Sequence, residues 1–360
     1  MRISPWSVPM FAKRFADLRP YVPGEQPVDR DYVKLNANEN PYPPSPGVTA
    51  ALQSFDPAKL HLYPDPDSNV LRDAIAGMNG AGVTRDMIFT GNGSDEVLSF
   101  VFYAFFDSGF PLLFPEHTYS FYPVYAGYYG IPFKKIPLRK DFTVDVDAFL
   151  AEKSSGVIFA NPNAPTGIFL PVAEIRTLLD RYPRDRVVVV DEAYIDFGGE
   201  SAVSLLGEYE NLVIIRTFSK SFCFAGARLG YVIANPGLIR ALFTTKNSFN
   251  HFPVDAVTQA IGTAACRDRE YYRSLCATIA KTRDGFASAL RASGWEVLPS
   301  MTNFVFTRKK GLEGRAVYEA LKANGILVRH FNIPGITDFV RISIGTPEDM
   351  LRLAGIMKGV

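Results

Sequence analysis

Four short runs, Leu112-Leu113-Phe114, Val157-Ile158-Phe159-Ala160, 187–190 and 212–215, are apolar at every position and mostly β-branched. A strand with one wet face alternates apolar and polar residues. A strand without alternation is buried on both faces, as in a parallel sheet flanked by helices. Helical spacings such as those over 69–78 and 172–182 separate the runs, so the pattern predicts an α/β major domain with a mostly parallel sheet. Met87-Ile88-Phe89-Thr90 adds another short strand, followed by an apolar helix to about residue 106. Beyond about residue 235 the pattern changes. Long helices over 253–266 and 270–293 lead to short strands near 303–307, 326–329 and 339–344, with a helix over 313–323, which predicts a smaller α+β domain. Pro20, Pro23 and Pro27 break any helix in the first 30 residues, which read as an arm. A chain of 360 residues defaults to two domains. The expected division is an arm at 1–30 joining the small domain, a large domain at 31–245 and a small domain at 246–360.

Three strand ends carry chemistry, where open α/β sheets place their ligands. After 212–215 comes Arg216-Thr217-Phe218-Ser219-Lys220, with Arg228 a few residues on. Lys220 stands among Phe218, Phe222 and Phe224, and a lysine desolvated beside other cations can attack a carbonyl as the free amine. Arg228, with the hydroxyls of Thr217 and Ser219, suits a phosphate. A carbonyl and a phosphate on one small molecule suggest pyridoxal phosphate; a basic loop over a sheet end is the plainer alternative. At a second strand end, Gly93-Ser94-Asp95 opens a helix whose free N–H groups would face a phosphate, although Ser94 is equally a good N-cap. At the third, Asp191 ends a buried run, where a carboxylate is costly unless paired. A pyridinium N–H is a suitable partner, and Tyr194 would reach the ring hydroxyl. A magnesium-binding or capping Asp is the alternative there.

The totals exclude several classes. Net charge is +1, with 47% hydrophobic and 21% charged residues, so there is no electrostatic case for nucleic acid or an anionic membrane. No apolar run approaches the roughly 20 residues of a membrane span, and Met1 to Trp6 lacks a signal core. Cys223, Cys266 and Cys276 form no paired framework, and the four histidines lack zinc spacing. A cytoplasmic protein without a metal is expected. Gly91-Asn92-Gly93 lacks the third glycine of a dinucleotide fingerprint, and no Walker-type loop is present.

Gly93-Ser94-Asp95-Glu96, Asn161-Pro162-Asn163-Ala164-Pro165-Thr166-Gly167, Asp191-Glu192-Ala193-Tyr194, and Ser219-Lys220 with Arg228 stand in the order and spacing of one family. The chain resembles the class I/II aminotransferases, pyridoxal 5'-phosphate enzymes of fold type I, over nearly its whole length. The resemblance implies that Lys220 condenses with the cofactor aldehyde and, once released by substrate, moves the proton between Cα and C4′. It implies that Ser94, Asp95, Thr217, Ser219 and Arg228 hold the cofactor phosphate and that Tyr119 stacks on the ring. Asp191 would pair with the ring nitrogen and Tyr194 with its hydroxyl. Tyr63 would reach the neighbouring subunit's cofactor phosphate, making a homodimer with shared active sites. Leu35-Asn36-Ala37-Asn38-Glu39-Asn40-Pro41, Tyr63-Pro64-Asp65, Arg329-His330-Phe331 and Arg341-Ile342-Ser343-Ile344-Gly345-Thr346 are similar to members acting on a phosphorylated imidazole amine, with glutamate as donor. Arg341 and Arg329 would bind the substrate anion, with Tyr21 and Asn38 as further substrate contacts. One position departs from the pattern. Ala164 stands where the family has an asparagine meeting the ring hydroxyl, so either Asn163 or Asn161 takes over or Tyr194 acts alone. The rivals are an aromatic amino acid aminotransferase and a non-catalytic pyridoxal-phosphate-binding regulator. The second is disfavoured, because no DNA-binding segment is expected and the proposed Lys220 machinery is intact.

Overall fold

The unalternating runs form strands that feed two cores at once. In a strand, successive side chains point to opposite faces. Val188 and Val190 accordingly join one cluster with Phe159, Leu212 and Ile214, while Val189 joins another with Ile158, Val213 and Ile215. Each fully buried side chain of this kind stabilises the fold by about 1.5–3 kcal/mol. The computed structural model describes residues 12–21, 24–80, 82–107 and 109–360. Residues 1–11 of the expected arm, including the Met1 to Trp6 stretch, and Pro23 lie outside the described residues.

A two-residue strand, β1 (Val33–Lys34), comes first and pairs far along the chain. Then β2 (Ile88–Asn92), β3 (Leu112–Pro115), β4 (Phe133–Ile136), β5 (Gly156–Ala160), β6 (Val188–Asp191), β7 (Leu212–Thr217) and β8 (Leu229–Ala234) build one sheet. Its seven strands run in the order β2-β8-β7-β6-β5-β3-β4. All neighbours are parallel except β8, which is antiparallel to both β2 and β7. It follows that β2 runs in the same direction as β6 and β7. The start of helix Gly93–Phe105, Asp191 and the Lys220 loop therefore emerge along one edge.

The second body is a four-stranded antiparallel sheet of β9 (Glu296–Val297), β10 (Phe304–Arg308), β12 (Arg329–His330) and β13 (Val340–Ser343), in the order β12-β13-β10-β9. Between them in sequence, β11 (Ile326–Leu327) pairs in parallel with β1. Helices Arg269–Ala292 and Pro347–Gly359 cover this sheet, around a core that includes Trp295, Phe304, Ile342, Leu353 and Met357. Among the described residues no helix is long and apolar enough to cross a membrane.

From the packing we propose other domain boundaries than those expected. Val254, Ile261, Ala265, Cys266 and Tyr272 belong to the large core, whereas Cys276, Ile279 and Phe286 belong to the small one. We therefore place the division inside helix Arg269–Ala292, between Tyr272 and Cys276, and not at 245/246. At the other end, β1 and Leu35 join the small body, so the large domain starts after them and not at residue 31.

Gly230 shows how tightly the edge is built. It pairs with Gly91 across the sheet, and a Cβ on it would lie 2.5 Å from Gly93 C and from Ser94 N. Both contacts are backbone, so neither can swing away. Gly230→Ala is expected to cost about 1–3 kcal/mol through overpacking. A lowered thermal unfolding midpoint and weaker cofactor retention would show it; an unchanged midpoint would mean that the helix start can move.

Candidate active site

A cavity of about 240 Å³ opens where the two bodies meet, over the strand ends of the large sheet. Tyr21, Asn38, Tyr119, Ala164, Tyr194, Lys220, Arg329, Phe331 and Arg341 stand around it. Lys220 enters from the loop after β7. Its Nζ donates to the Ala37 carbonyl at 3.2 Å and lies 5.9 Å from the Tyr194 ring centroid. Its own carbonyl accepts from Asn40 Nδ2 at 3.0 Å. The Leu35 to Pro41 loop thus fixes both ends of the lysine, a role for Asn40 that sequence reasoning did not assign.

The helix start and the β7–β8 loop form a cradle beside it. Helix Gly93–Phe105 has Asn92 as its N-cap, with no side-chain cap bond, so Ser94 sits inside the first turn and is not the cap. Free backbone donors and the positive end of the helix dipole therefore face the cradle. Arg228, held at φ 53°, donates from Nη1 to the Ala225 carbonyl at 3.2 Å and to Ser219 Oγ at 3.4 Å. Its Nη2 meets Asp95 Oδ2 at 3.2 Å. A Cβ on Gly93, whose φ is +78°, would lie 2.5 Å from Arg228 Nη2. Only glycine leaves the guanidinium room over the helix start. Thr217 Oγ1 accepts from the Ser219 N–H at 3.1 Å and donates to the Leu229 carbonyl at 3.4 Å, so this hydroxyl shapes the turn. Arg216, the other arginine of the stretch, faces away and pairs with buried Glu192 at 2.9 Å.

Asp191, at the end of β6, is 4% exposed. Its Oδ2 accepts from the Tyr122 hydroxyl at 2.8 Å and its Oδ1 from the Ala193 N–H at 3.2 Å. Burial, with smaller contributions from the Asp95 and Glu192 charges, raises its pKa to about 6 despite these two donors. Tyr119 donates to Asp95 Oδ1 at 2.9 Å and meets Tyr122 edge-on at 5.5 Å between centroids. Its phenol pKa is pushed well up, by burial first and then by the Asp95 charge.

Asn163 stands apart from this assembly. Its Nδ2 donates to the His117 carbonyl and Thr166 Oγ1, and its Oδ1 accepts from Thr118. Asn161 is likewise spent on both backbone groups of Leu170. Neither amide replaces the asparagine missing at Ala164, which corrects the placement of Asn163 at the cofactor. The group beside Tyr194 is Asn38, whose Nδ2 donates to the Tyr194 hydroxyl at 2.9 Å. Asn38 is itself held by Ser343 and Asn303 of the small body. Tyr63 lies outside its own chain's cavity. It is 83% exposed and stacked on Phe252, with ring centroids 4.6 Å apart.

Arg329 and Arg341 are register partners on β12 and β13. Like charges placed directly opposite on paired strands repel. Arg341 Nη2 donates to the Asn36 carbonyl at 3.0 Å, while its Nε is buried without a hydrogen-bond partner among the described residues. Burial lowers the proton affinity of Arg341, and the Arg329 charge adds to the effect. Two guanidinium groups at one cavity wall suit an anionic ligand.

Pyridoxal phosphate fits the residues present. A phosphate matches the helix start with Arg228, a pyridinium N–H matches the buried Asp191 carboxylate, and an aldehyde matches the amine of Lys220.

Residues 30–356 match the family described as aminotransferase class I and II. The chain is 57% identical to the histidinol-phosphate aminotransferase of Syntrophus aciditrophicus, over 97% of each chain. It is 46% identical to histidinol-phosphate aminotransferase 2 of Gluconobacter oxydans, again over 97% of each. Among solved structures it is similar to the histidinol-phosphate aminotransferase of Sinorhizobium meliloti in complex with pyridoxal-5'-phosphate. There the TM-score is 0.88 at 26% identity, covering 99% of this chain and 100% of that one.

Proposed function

The chain belongs to the class I and II aminotransferase family, and on that premise we propose that it is a pyridoxal-phosphate-dependent transaminase acting on histidinol phosphate. In one half-reaction glutamate leaves its amino group on the enzyme as 2-oxoglutarate departs. In the other, imidazole-acetol phosphate takes that group up to become histidinol phosphate. The observation that carries a phosphorylated substrate is the opposed pair Arg329 and Arg341.

Bound pyridoxal phosphate supplies an electron sink for breaking the substrate Cα–H bond. The chain supplies the rest. Lys220, tethered by Ala37, is placed to take the proton from the substrate Cα and would return it at the carbon that bore the cofactor aldehyde, two bonds away. Asp191 holds the ring nitrogen's proton, and Tyr194, steadied by Asn38, faces the ring hydroxyl. Arg228, Ser219 and the backbone of Ser94 and Asp95 hold the phosphate. Tyr119 covers the ring, and Tyr21 and Phe331 help keep water from the reacting carbon. Tyr63, projecting from its own chain, reaches the cofactor phosphate of a second copy, so the working unit is a homodimer. The three free cysteines agree with a cytoplasmic setting.

The test is a single-turnover reaction on cofactor-loaded protein, mixed separately with histidinol phosphate, glutamate and phenylalanine while the cofactor absorbance is followed. Fast conversion by histidinol phosphate and glutamate, with phenylalanine at least tenfold slower (about 1.4 kcal/mol), is expected. Fast conversion by phenylalanine with histidinol phosphate inert would move the protein to the aromatic aminotransferases.

A further inference from the structure

Helix Tyr122–Tyr129 belongs to an aromatic-rich stretch that reads as packing, yet two of its hydroxyls are committed to the site. Tyr125 donates to the Asp95 carbonyl at 2.7 Å, and Tyr122 donates to Asp191 Oδ2 at 2.8 Å. Tyr122 is completely buried, so its hydroxyl has no water to exchange with and Asp191 is its partner. Losing one side of such a buried bond costs more than the bond itself contributes. The other Asp191 oxygen is taken by the Ala193 N–H of its own turn. Tyr122 is thus the side chain from another element that sets the carboxylate's rotation.

We propose that Tyr122 is a positioning residue for the cofactor ring, its hydroxyl fixing the Asp191 carboxylate in the orientation that meets the ring N–H. The inference rests on the pyridoxal-phosphate reading of the site. Donation from Tyr122 favours the ionised carboxylate and works against burial, which alone pushes Asp191 upward. The other groups acting on Asp191 are Asp95 at the helix start and Glu192 beside it, both of which favour protonation. The Tyr125 phenol also senses Asp191 and lies within the field of Arg228. Cofactor affinity should therefore fall as pH drops through about 6, where Asp191 takes up its proton.

Titrating pyridoxal phosphate into cofactor-free protein between about pH 5.5 and 8.5 tests this, because Asp191 changes charge within that window. In Tyr122→Phe the midpoint should rise by about one pH unit, and affinity near pH 6.5 should fall about threefold, the ratio of the ionised fractions before and after that rise. Replacing Tyr122 by 3-fluorotyrosine keeps the packing but makes the hydroxyl a stronger donor, so the midpoint should move down. In an Asp191→Asn background, Tyr122→Phe should add less than about twofold, because the two residues act as one unit. Superimposable pH curves for parent and Tyr122→Phe, or full additivity with Asp191→Asn, would overturn the role of Tyr122. Absence of any cofactor fixed to Lys220 after borohydride treatment of the parent would instead overturn the underlying reading.

Discussion

Lys220→Ala is expected to lower kcat by about 10³-fold or more while leaving a folded protein that still takes up cofactor. General acid–base catalysis by a placed side chain is worth about 10²–10⁴-fold, and Lys220 has the placement. The Ala37 carbonyl holds its Nζ, and Asn40 pins its backbone. The phosphate cradle of Arg228, Ser219 and the start of helix Gly93–Phe105 does not depend on the lysine side chain. Binding should therefore persist without covalent attachment. Borohydride treatment and peptide mass mapping of parent and variant separate the two, since only the parent should carry the tag, at residue 220. Lys220→Arg should not recover activity, because a guanidinium stays protonated and cannot accept the Cα proton. A variant within tenfold of the parent would show that another base serves the reaction.

Several parts of this site are legible in the chain because local chemistry marks them. Asp191 ends an unbroken valine run, and Lys220 follows an apolar strand, so strand ends and charged residues coincide. The buried strands are equally plain, since burial on both faces removes alternation. Other parts depend on contacts that no local pattern encodes. The amide that meets Tyr194 comes from Asn38, 156 residues earlier, and not from the neighbouring asparagines, whose amides brace their own loop. Tyr122 and Tyr125 look like core aromatics until their hydroxyl partners are seen. Their spacing with Tyr119, every third residue, was the one available signal. The domain division is hidden for another reason. The division we propose falls inside a continuous 24-residue amphipathic helix that serves both cores, so composition does not change where the packing does.

The second large effect concerns the anion site. Arg329→Ala is expected to lower kcat/KM for histidinol phosphate by about 10²-fold, the upper range for a lost charge-assisted contact of about 1.5–3 kcal/mol. The same change should cost glutamate less than about tenfold, since a carboxylate carries one charge and Arg341 remains to pair with it. Arg329 and Arg341 face each other across β12 and β13, so a ligand with two negative charges can pair with both, where a single carboxylate needs only one. Equal losses on the two substrates would assign Arg329 to general anion attraction and leave the phosphate preference without its structural basis.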